Sequence, residues 1–252
     1  MKRELKVMAD GVSFAPGCRF HLSGKITVGL FPSLFTLEAW NLKESDYLLL
    51  SRTKVLAVYR EDSCLAYGAV SDVFRRTVPE GTVTTAAFSL GLDLWEAQVS
   101  LSVEAGVSVP ETVQQILEAS GTNITLLSFP GVSRFFSRGQ AFLGRASDCV
   151  TEALSAAHAR GFLVLAGLKV IPKDPLPATL HLTEQDLTDA PAYALGGKRL
   201  ILSTTVTGFQ PGEEVTVSYG SGTAAGLILE RMVDADTSKG PWNTQLLAEV
   251  HA

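Results

Sequence analysis

The amino-acid sequence predicts a β-rich α+β protein in which two antiparallel β domains are joined by a small α/β element with two short helices. Residues 1–95 and 173–252 consist largely of short runs in which apolar and polar residues alternate, as on half-buried strands. In residues 96–172, two segments instead repeat their apolar residues every three or four positions, as on one helical face. We therefore predict a first β domain (1–95), an α/β connecting element (96–172) and a second β domain (173–252).

Composition and charge restrict the class of function. Of the 252 residues, 46% are apolar and 19% are charged, which is typical of a globular protein with a substantial core. The net charge of −5 argues against broad nucleic-acid binding, because such binding needs a basic surface, and we expect no specific nucleic-acid binding. The three cysteines are far apart in sequence, so we expect free thiols rather than disulfides or a zinc site. The sequence has no apolar run long enough for a membrane span or a signal peptide, so we expect no contact with a membrane.

The first β domain is predicted from five apolar runs and one short helix at residues 43–50. The runs are Ile26-Val28-Leu30, Phe35-Leu37-Ala39, Val55-Ala57-Tyr59, residues 65–70 and residues 83–90. Short strands at this spacing predict a small antiparallel barrel or sandwich.

The first helix of the connecting element is predicted to begin at Ser108 and to end at Gly121. Ser108 and Glu111 have the spacing of a capping box, and Pro110 lies in the first turn, where its missing N–H costs little. Val113, Ile116, Leu117 and Ser120 then share one face.

The second helix lies in the stretch Arg138–Pro172, which reads as strand, helix and tight hairpin. Ser147 is the expected N-terminal cap, and Gly161 is the expected left-handed residue that ends the helix. Residues 162–165 and 168–171 are predicted hairpin strands, with Ala166-Gly167 as the turn. We expect both helices to pack together on strands, since segments this short are marginal alone.

The second β domain is predicted from five more runs that follow a proline-rich linker at residues 173–177. The runs are residues 179–182, 200–206, 215–219, 227–233 and 244–250, and the last two form a long hairpin around the turn-rich residues 234–241. The glycine-rich residues 220–226 are predicted to be a flexible hairpin loop, because a phosphate loop needs a Gly-Lys-Ser/Thr ending or a following helix.

No set of residues in the sequence has the spacing of a catalytic or metal site. The four histidines are scattered, and we expect His158 to interact with a helix dipole. Asp234 and Asp236 are assigned to turn chemistry rather than to a calcium loop, and no serine lies in a GxSxG elbow. We therefore predict no catalytic residue, no metal ligand and no cofactor.

Residues 128–138, SFPGVSRFFSR, are predicted to form a loop with two candidate functions. Adjacent aromatic and arginine residues are typical of interface hot spots, so Arg134, Phe135, Phe136 and Arg138 form a candidate partner-docking loop. Alternatively, one phenylalanine packs on the core and the arginines are solvated. The sequence leaves both interpretations open.

Five segments in order along the chain resemble the baseplate hub, or tail hub, proteins of tailed bacteriophages and related contractile injection systems. They are FTLEAWNLKES (35–45), Tyr67-Gly68-Ala69-Val70, WEAQVSLSVEAGVSV (95–109), residues 139–154 with Leu168-Lys169-Val170-Ile171-Pro172, and Gly240-Pro241-Trp242-Asn243-Thr244.

This resemblance implies a structural protein whose two β domains are similar to those of tail-tube proteins. It implies a homotrimeric ring that adapts a sixfold tail tube to a threefold spike and leaves a channel for DNA in transit. The implied partners are the central spike, the tail tube or distal tail ring, the tape measure protein and the baseplate wedge. The implied location is the tail baseplate of a virion, assembled in the cytoplasm of a bacterial host.

Two alternatives remain at the level of sequence. A carbohydrate- or ligand-binding tail-tip module would present Trp40, Trp95 or Trp242 as an exposed aromatic platform, whereas all three lie in or beside predicted strands. A cell-wall hydrolase would need a cleft with paired carboxylates or a nucleophile and a base.

Overall fold

The computed structural model describes residues 3–14, 17–27, 29–129, 134–165, 167–173 and 180–251, with only the backbone of Ser128. Four α-helices lie within these residues: α1 (Glu44–Arg52), α2 (Leu92–Glu96), α3 (Val109–Ser120) and α4 (Ala146–Ala156). None of them is long and apolar enough to cross a membrane.

The remaining elements are mostly antiparallel strands. In the first β domain they are β1 (Lys6–Ala9), β2 (Val12–Ser13), β3 (Arg19–Ile26), β4 (Ser33–Trp40), β5 (Val55–Arg60), β6 (Ser63–Val78) and β7 (Gly81–Leu90). In the connecting element they are β8 (Gln98–Val103), β9 (Leu126–Ser128), β10 (Gln140–Arg145), β11 (Ala159–Val164) and β12 (Gly167–Pro172). In the second β domain they are β13 (Leu180–Thr183), β14 (Ala192–Ala194), β15 (Arg199–Thr204), β16 (Glu214–Tyr219), β17 (Gly222–Asp236) and β18 (Trp242–Val250), with a short 3-10 helix at Glu184–Asp186.

One sheet runs through both β domains of the described chain. Its strands follow the order β14-β15-β18-β17-β3-β4-β7-β6-β5-β1-β2, while β16 pairs with β17 and β13 pairs in parallel with β16. The join is the 15-residue strand β17, whose residues 222–227 pair with β16 and whose residues 231–236 pair with β3. The three-part division by sequence stays a proposal, since the hydrogen-bonded sheet is continuous across its boundaries.

The core of the first β domain lies on one face of this sheet. Phe35, Leu37 and Ala39 are buried on β4, as their alternation predicts, and the rings of Phe35 and Phe88 stack with their centroids 5.3 Å apart. Burying side chains of this size contributes roughly 1.5–3 kcal/mol each to the free energy of folding.

Two details of the first β domain differ from the sequence prediction. The predicted strand through Ile26, Val28 and Leu30 is wrong beyond Ile26, where β3 ends; Val28 lies outside the described residues. Gly29 has φ 76° and opens a turn, so Leu30 packs into the core of the connecting element instead. Strand β6 also extends eight residues past the predicted end at residue 70, paired with β7.

The connecting element packs two small sheets against α3 and α4. Strands β8 and β10 pair antiparallel, and β11-β12 forms a hairpin to which β9 adds in parallel. Helix α3 forms as predicted: the Ser108 hydroxyl accepts from the Glu111 N–H, Gly121 ends the helix at φ 67°, and Val113, Ile116 and Leu117 are buried.

The two caps predicted for α4 are wrong, although the helix and the hairpin form. Ser147 lies inside the helix with its hydroxyl unpaired, because β10 runs straight into α4 and the Ala97 carbonyl accepts the Ala146 N–H at 2.9 Å. His158, at φ 53°, is the left-handed residue after the helix. Gly161 instead lies in β11, where an added Cβ would be 2.7 Å from Leu154 Cδ1, so close packing requires this glycine.

The five strands predicted for the second β domain are present with shifted ends. The predicted loop at residues 220–226 is wrong in extent, because β16 and β17 are joined by Gly220 and Ser221 alone and residues 222–226 belong to β17. Asp234 and Asp236 likewise lie in β17 rather than in a turn. Residues 174–177 of the predicted linker, residue 179 of the predicted strand that follows it, and the hairpin residue Ala166 lie outside the described residues.

Candidate functional site

The predicted docking loop is held against the start of α3 by three backbone hydrogen bonds. Val109 N–H donates to the Arg134 carbonyl at 2.9 Å, Phe136 N–H donates to the Val107 carbonyl at 3.0 Å, and Gly106 N–H donates to the Phe136 carbonyl at 2.8 Å. Residues 134–136 therefore form an extended segment antiparallel to residues 106–109, which places neighbouring side chains on opposite faces.

The two phenylalanines of this segment have different environments. Phe136 is 7% exposed and packs edge-to-face on Phe142, with ring centroids 6.0 Å apart. Phe135 is 65% exposed. Phe136 therefore anchors the segment in the core and Phe135 is exposed, while a docking role for this segment stays a prediction.

The arginines of the candidate docking loop lie on the surface around Phe135. Arg134 is exposed and donates to the carbonyl of Ala156, the last residue of α4, at 3.4 Å, where the helix dipole favours a cation. Arg138 is exposed and has no hydrogen bond or ion pair with any residue that the structure describes. Residues 130–133 of the predicted loop lie outside the described residues.

A cleft of about 560 Å³ lies between strands β6 and β7 of the main sheet and the connecting element. Tyr67 and Ala69 on β6 and Ser89 on β7 contribute to its floor, and Asp93 and Glu96 on α2 lie along one wall. Both carboxylates are exposed. Ser89 is only 4% exposed, and its hydroxyl has no hydrogen-bond partner among the described residues.

Sequence reasoning missed this cleft because its residues come from distant parts of the chain. The register of β6 and β7 places Ala69 opposite Ser89, and Gly91 at φ 79° turns the chain from β7 into α2. One local signal exists: Gly68 lies inside a strand, and an added Cβ there would overlap the backbone of Ser89.

Arg231 on β17 links the first β domain to the second. It is 2% exposed; one guanidinium nitrogen donates to the Phe209 carbonyl at 2.9 Å, and the other donates to the Leu65 carbonyl. Burial lowers the pKa of Arg231 to about 10. Leu65 belongs to β6 and Phe209 precedes β16, so this side chain joins segments that are far apart in sequence.

Glu249 on β18 links the second β domain to the connecting element. Its carboxylate accepts from Arg160 on β11 at 2.8 Å and pairs with Arg199 on β15 at 2.9 Å. Hydrogen bonds from Arg160 and then Arg199 lower the pKa of Glu249 below its ordinary value. These pairs hold the hairpin β11-β12 against the main sheet.

The face of the main sheet opposite the core carries both signs of charge. His21 lies 2.7 Å from an Asp234 oxygen and 3.5 Å from a Glu38 oxygen, and Arg19 pairs with Asp236 at 2.8 Å. Burial alone would raise the pKa of Asp236, but hydrogen bonds from Arg19 and from the Ser238 N–H lower it overall. Each carboxylate here has a basic partner, and Asp236 is buried, so these ion pairs have a structural role.

The described residues contain no group of three His, Cys, Asp or Glu side chains arranged to hold a metal ion. The three tryptophans do not form a platform: Arg19 lies over Trp40 at 4.1 Å, Arg145 lies over Trp95 at 4.9 Å, and Trp242 is buried.

Comparison with known proteins finds similarity in structure only. No family model and no curated protein sequence matches the chain. Among solved structures, a tail protein from Neisseria meningitidis MC58 matches with a TM-score of 0.72 at 11% identity, covering 100% of this chain and 97% of that chain. The prophage MuSo2 43 kDa tail protein from Shewanella oneidensis matches with a TM-score of 0.68 at 10% identity, covering 99% and 97%.

A third match is the c3393 protein of Escherichia coli, described as a component of the type VI secretion system with structural similarity to the T4 bacteriophage tail proteins gp27 and gp5. Its TM-score is 0.65 at 12% identity, covering 98% of this chain and 77% of that chain. The resemblance to tail proteins and the β-rich α+β fold class are therefore confirmed at the level of the fold.

Proposed function

We propose that this chain is a structural hub subunit of a phage-type tail or related injection system, and that three copies close into a ring between a sixfold tube and a threefold spike. The observation that carries the proposal is the shared fold: nearly the whole chain superposes on nearly the whole of two tail proteins. The two proposed β domains share one sheet, and this supports a ring in which three copies present six such domains to a sixfold neighbour.

The proposed partners follow from the same fold. A subunit at this position contacts further copies of itself, the central spike, the tail tube or distal ring, the tape measure protein and the baseplate wedge. The match to a type VI secretion component supports a contractile injection setting as well as a virion tail. The proposed location is the tail baseplate, with assembly in the bacterial cytoplasm.

We propose that DNA passes through the ring without specific binding. Three copies carry a net charge of −15, three times the −5 of one chain, and this charge repels a polyanion. The expected result is no detectable retention of double-stranded DNA by the assembled protein at low salt. Retention that falls steeply with added salt would instead show a basic DNA-binding surface.

The proposed function is non-enzymatic. One observation bears on the hydrolase alternative: Asp93 and Glu96 line the same cleft. Both side chains are exposed, and an Asp93 oxygen accepts the Leu94 N–H at 3.0 Å, as in an ordinary helix start. We expect no release of fragments from purified cell wall; release by wild type but not by a Glu96→Gln variant would support the hydrolase.

Two measurements test the structural role. Light scattering of the purified chain should give about 81 kDa, three times its 26.9 kDa. Because a ring can need its neighbours in order to close, the second measurement is quantitative mass spectrometry of purified tail particles, where we expect three copies per particle. Absence of the chain from intact particles would overturn the proposal.

A further inference from the structure

We propose that the exposed Phe135 of one copy, with Arg134 and Arg138 beside it, seats in the cleft between β6 and α2 of a second copy. This inference rests on the proposed ring and names the contact that closes it. We call residues 134–138 the donor segment and the cleft between β6 and α2 the receptor cleft; every copy of the chain carries both.

The cleft matches an aromatic side chain in its apolar lining. Tyr67, Leu92, Ile124 and Leu165 contribute apolar surface to a space of about 560 Å³. Leu34, which lies opposite Ser89 in the sheet, is exposed and extends this surface beyond the cleft. An exposed phenylalanine that enters such a site becomes a buried aromatic anchor in a desolvated pocket, the setting in which interface hot spots occur.

The charges at the two surfaces are complementary. Asp93 and Glu96 are exposed on the cleft wall, and none of the described residues that line it is Lys, Arg or His. On the donor side, exposed Arg134 and Arg138 lie on either side of Phe135 in sequence. Guanidinium groups bind carboxylates through paired hydrogen bonds, so these pairs orient the segment around the aromatic anchor.

The cleft floor also contains an unpaired polar group. The Ser89 hydroxyl is buried without a partner among the described residues, which is unfavourable in a free chain. An extended segment laid along the floor brings backbone N–H and C=O groups to this side of the sheet.

The position of the two features makes the contact intermolecular. Phe135 bridges Ser108 at the start of α3, whereas Asn123 and Ile124, just past the end of α3, line the cleft. A helix of 12 residues is about 18 Å long. Three backbone hydrogen bonds hold residues 134–136 in place, so Phe135 does not reach the cleft of its own chain. A donor and a receptor at different ends give a head-to-tail contact, which closes into a ring when the rotation permits.

The first test is sedimentation equilibrium of variants of the full-length chain. Phe135→Ala should weaken self-association by roughly 30-fold or more, the effect of a hot-spot truncation. The matched control is Tyr193→Ala, which removes another exposed aromatic residue on β14 and should leave self-association unchanged. Assembly of Phe135→Ala with wild-type affinity overturns the inference while leaving the proposed ring intact.

The second test exchanges the charges. Asp93→Lys with Glu96→Lys, or Arg134→Glu with Arg138→Glu, should each weaken assembly, whereas the chain with all four substitutions should assemble again. Because a merely misfolded variant is not rescued by further substitutions, recovery distinguishes a direct contact from a folding defect. Failure of the fourfold variant to recover, with wild-type circular dichroism, counts against this pairing.

The third test covers a chain that is monomeric until its tail partners are present. A Phe135→Cys chain mixed with an Ala69→Cys chain under mild oxidation should give a disulfide-linked dimer, and a Tyr193→Cys chain mixed with Ala69→Cys should not. The wild-type chain, with Cys18, Cys64 and Cys149, provides the background. A cross-linked dimer with a monomeric wild type supports the contact even if the free ring does not form. No dimer above background overturns it.

Discussion

Replacement of Arg231 by methionine tests how the two β domains are held together. Methionine fills most of the same space but carries no donors, so the carbonyls of Phe209 and Leu65 lose the hydrogen bonds that the guanidinium gives them. Both carbonyls lie at a site where Arg231 itself is 2% exposed, so water does not readily replace it.

Two opposing effects determine the expected change in stability. Burial lowers the pKa of Arg231 from its ordinary value to about 10, which corresponds to about 3 kcal/mol of penalty for burying the charged form, and the methionine variant avoids this penalty. Leaving two buried carbonyls unpaired costs about 1–3 kcal/mol each. With each carbonyl near the upper part of that range, we expect Arg231→Met to be destabilised by about 1–2 kcal/mol.

Urea denaturation at pH 7 measures this difference, with Arg76→Met as the matched control. Arg76 pairs with Glu38 on the exposed face of the sheet, so its replacement should change the free energy of unfolding by about 1 kcal/mol or less. A methionine variant at least as stable as wild type would refute the argument that these carbonyls need the guanidinium.

The pH dependence gives an independent check on Arg231. Its folded pKa is lowered, so below pH 10 the side chain is protonated in both states and its penalty is fully present. From about pH 10 up to the ordinary pKa of an arginine, the unfolded state binds more protons than the folded state, and the contribution of Arg231 to stability rises with pH. The stability of wild type relative to Arg231→Met should therefore increase above pH 10; a constant difference would contradict a lowered pKa.

Three further predictions concern the connecting element, the cleft and the contact with the second β domain. Leu154→Asp places a carboxylate in the core of the connecting element, which costs more than about 4 kcal/mol of folding free energy, so we expect no soluble folded protein or no assembly. The control Leu154→Met should still fold and assemble. An Asp variant that folds and assembles would contradict the role of α4 in holding this core together. Gly68→Ala should lower the free energy of unfolding by about 1–3 kcal/mol in thermal denaturation, because the added Cβ would overlap the Ser89 backbone. An unchanged melting temperature would contradict the close approach of β6 and β7 at this position. The lowered pKa of Glu249 gives stability that is present above its ordinary pKa of 4.5 and is lost as the pH falls through the folded value. A Glu249→Gln variant should lose this part of the acid dependence, measured by urea denaturation from pH 6 to pH 3; identical acid profiles would contradict it.

Local signals predicted the elements that depend on local contacts. Helix α3 was predicted at both ends because its caps are neighbours in sequence: Ser108 accepts from the Glu111 N–H, and Gly121 takes the left-handed conformation. The same signals misled at α4, where the Ala97 carbonyl satisfies the first turn and Gly161 is needed for packing against Leu154. A serine near the start of a helix and a glycine near its end do not show whether those residues cap the helix or whether distant residues satisfy its ends.

For the candidate docking loop, too, the sequence predicted the segment but not the environment of each side chain. Its composition predicted an interaction segment, but adjacent Phe135 and Phe136 are equivalent in sequence. Pairing with residues 106–109 decides which ring faces Phe142 and which faces outward. Apart from Gly68, the proposed receptor cleft has no local signal in the sequence, because Ala69, Ser89 and Asp93 meet only through strand register and the turn at Gly91.

The sequence by itself determined the fold class, the central position of the helices and the resemblance to tail proteins. Alternation and capping are properties of a few consecutive residues, so a single chain displays them directly. Only the tertiary structure decided that β17 joins both β domains in one sheet and that Arg231 secures this junction. Strand partners and buried hydrogen bonds pair residues more than 100 positions apart, and the side-chain pattern of a strand is the same whichever partner it takes.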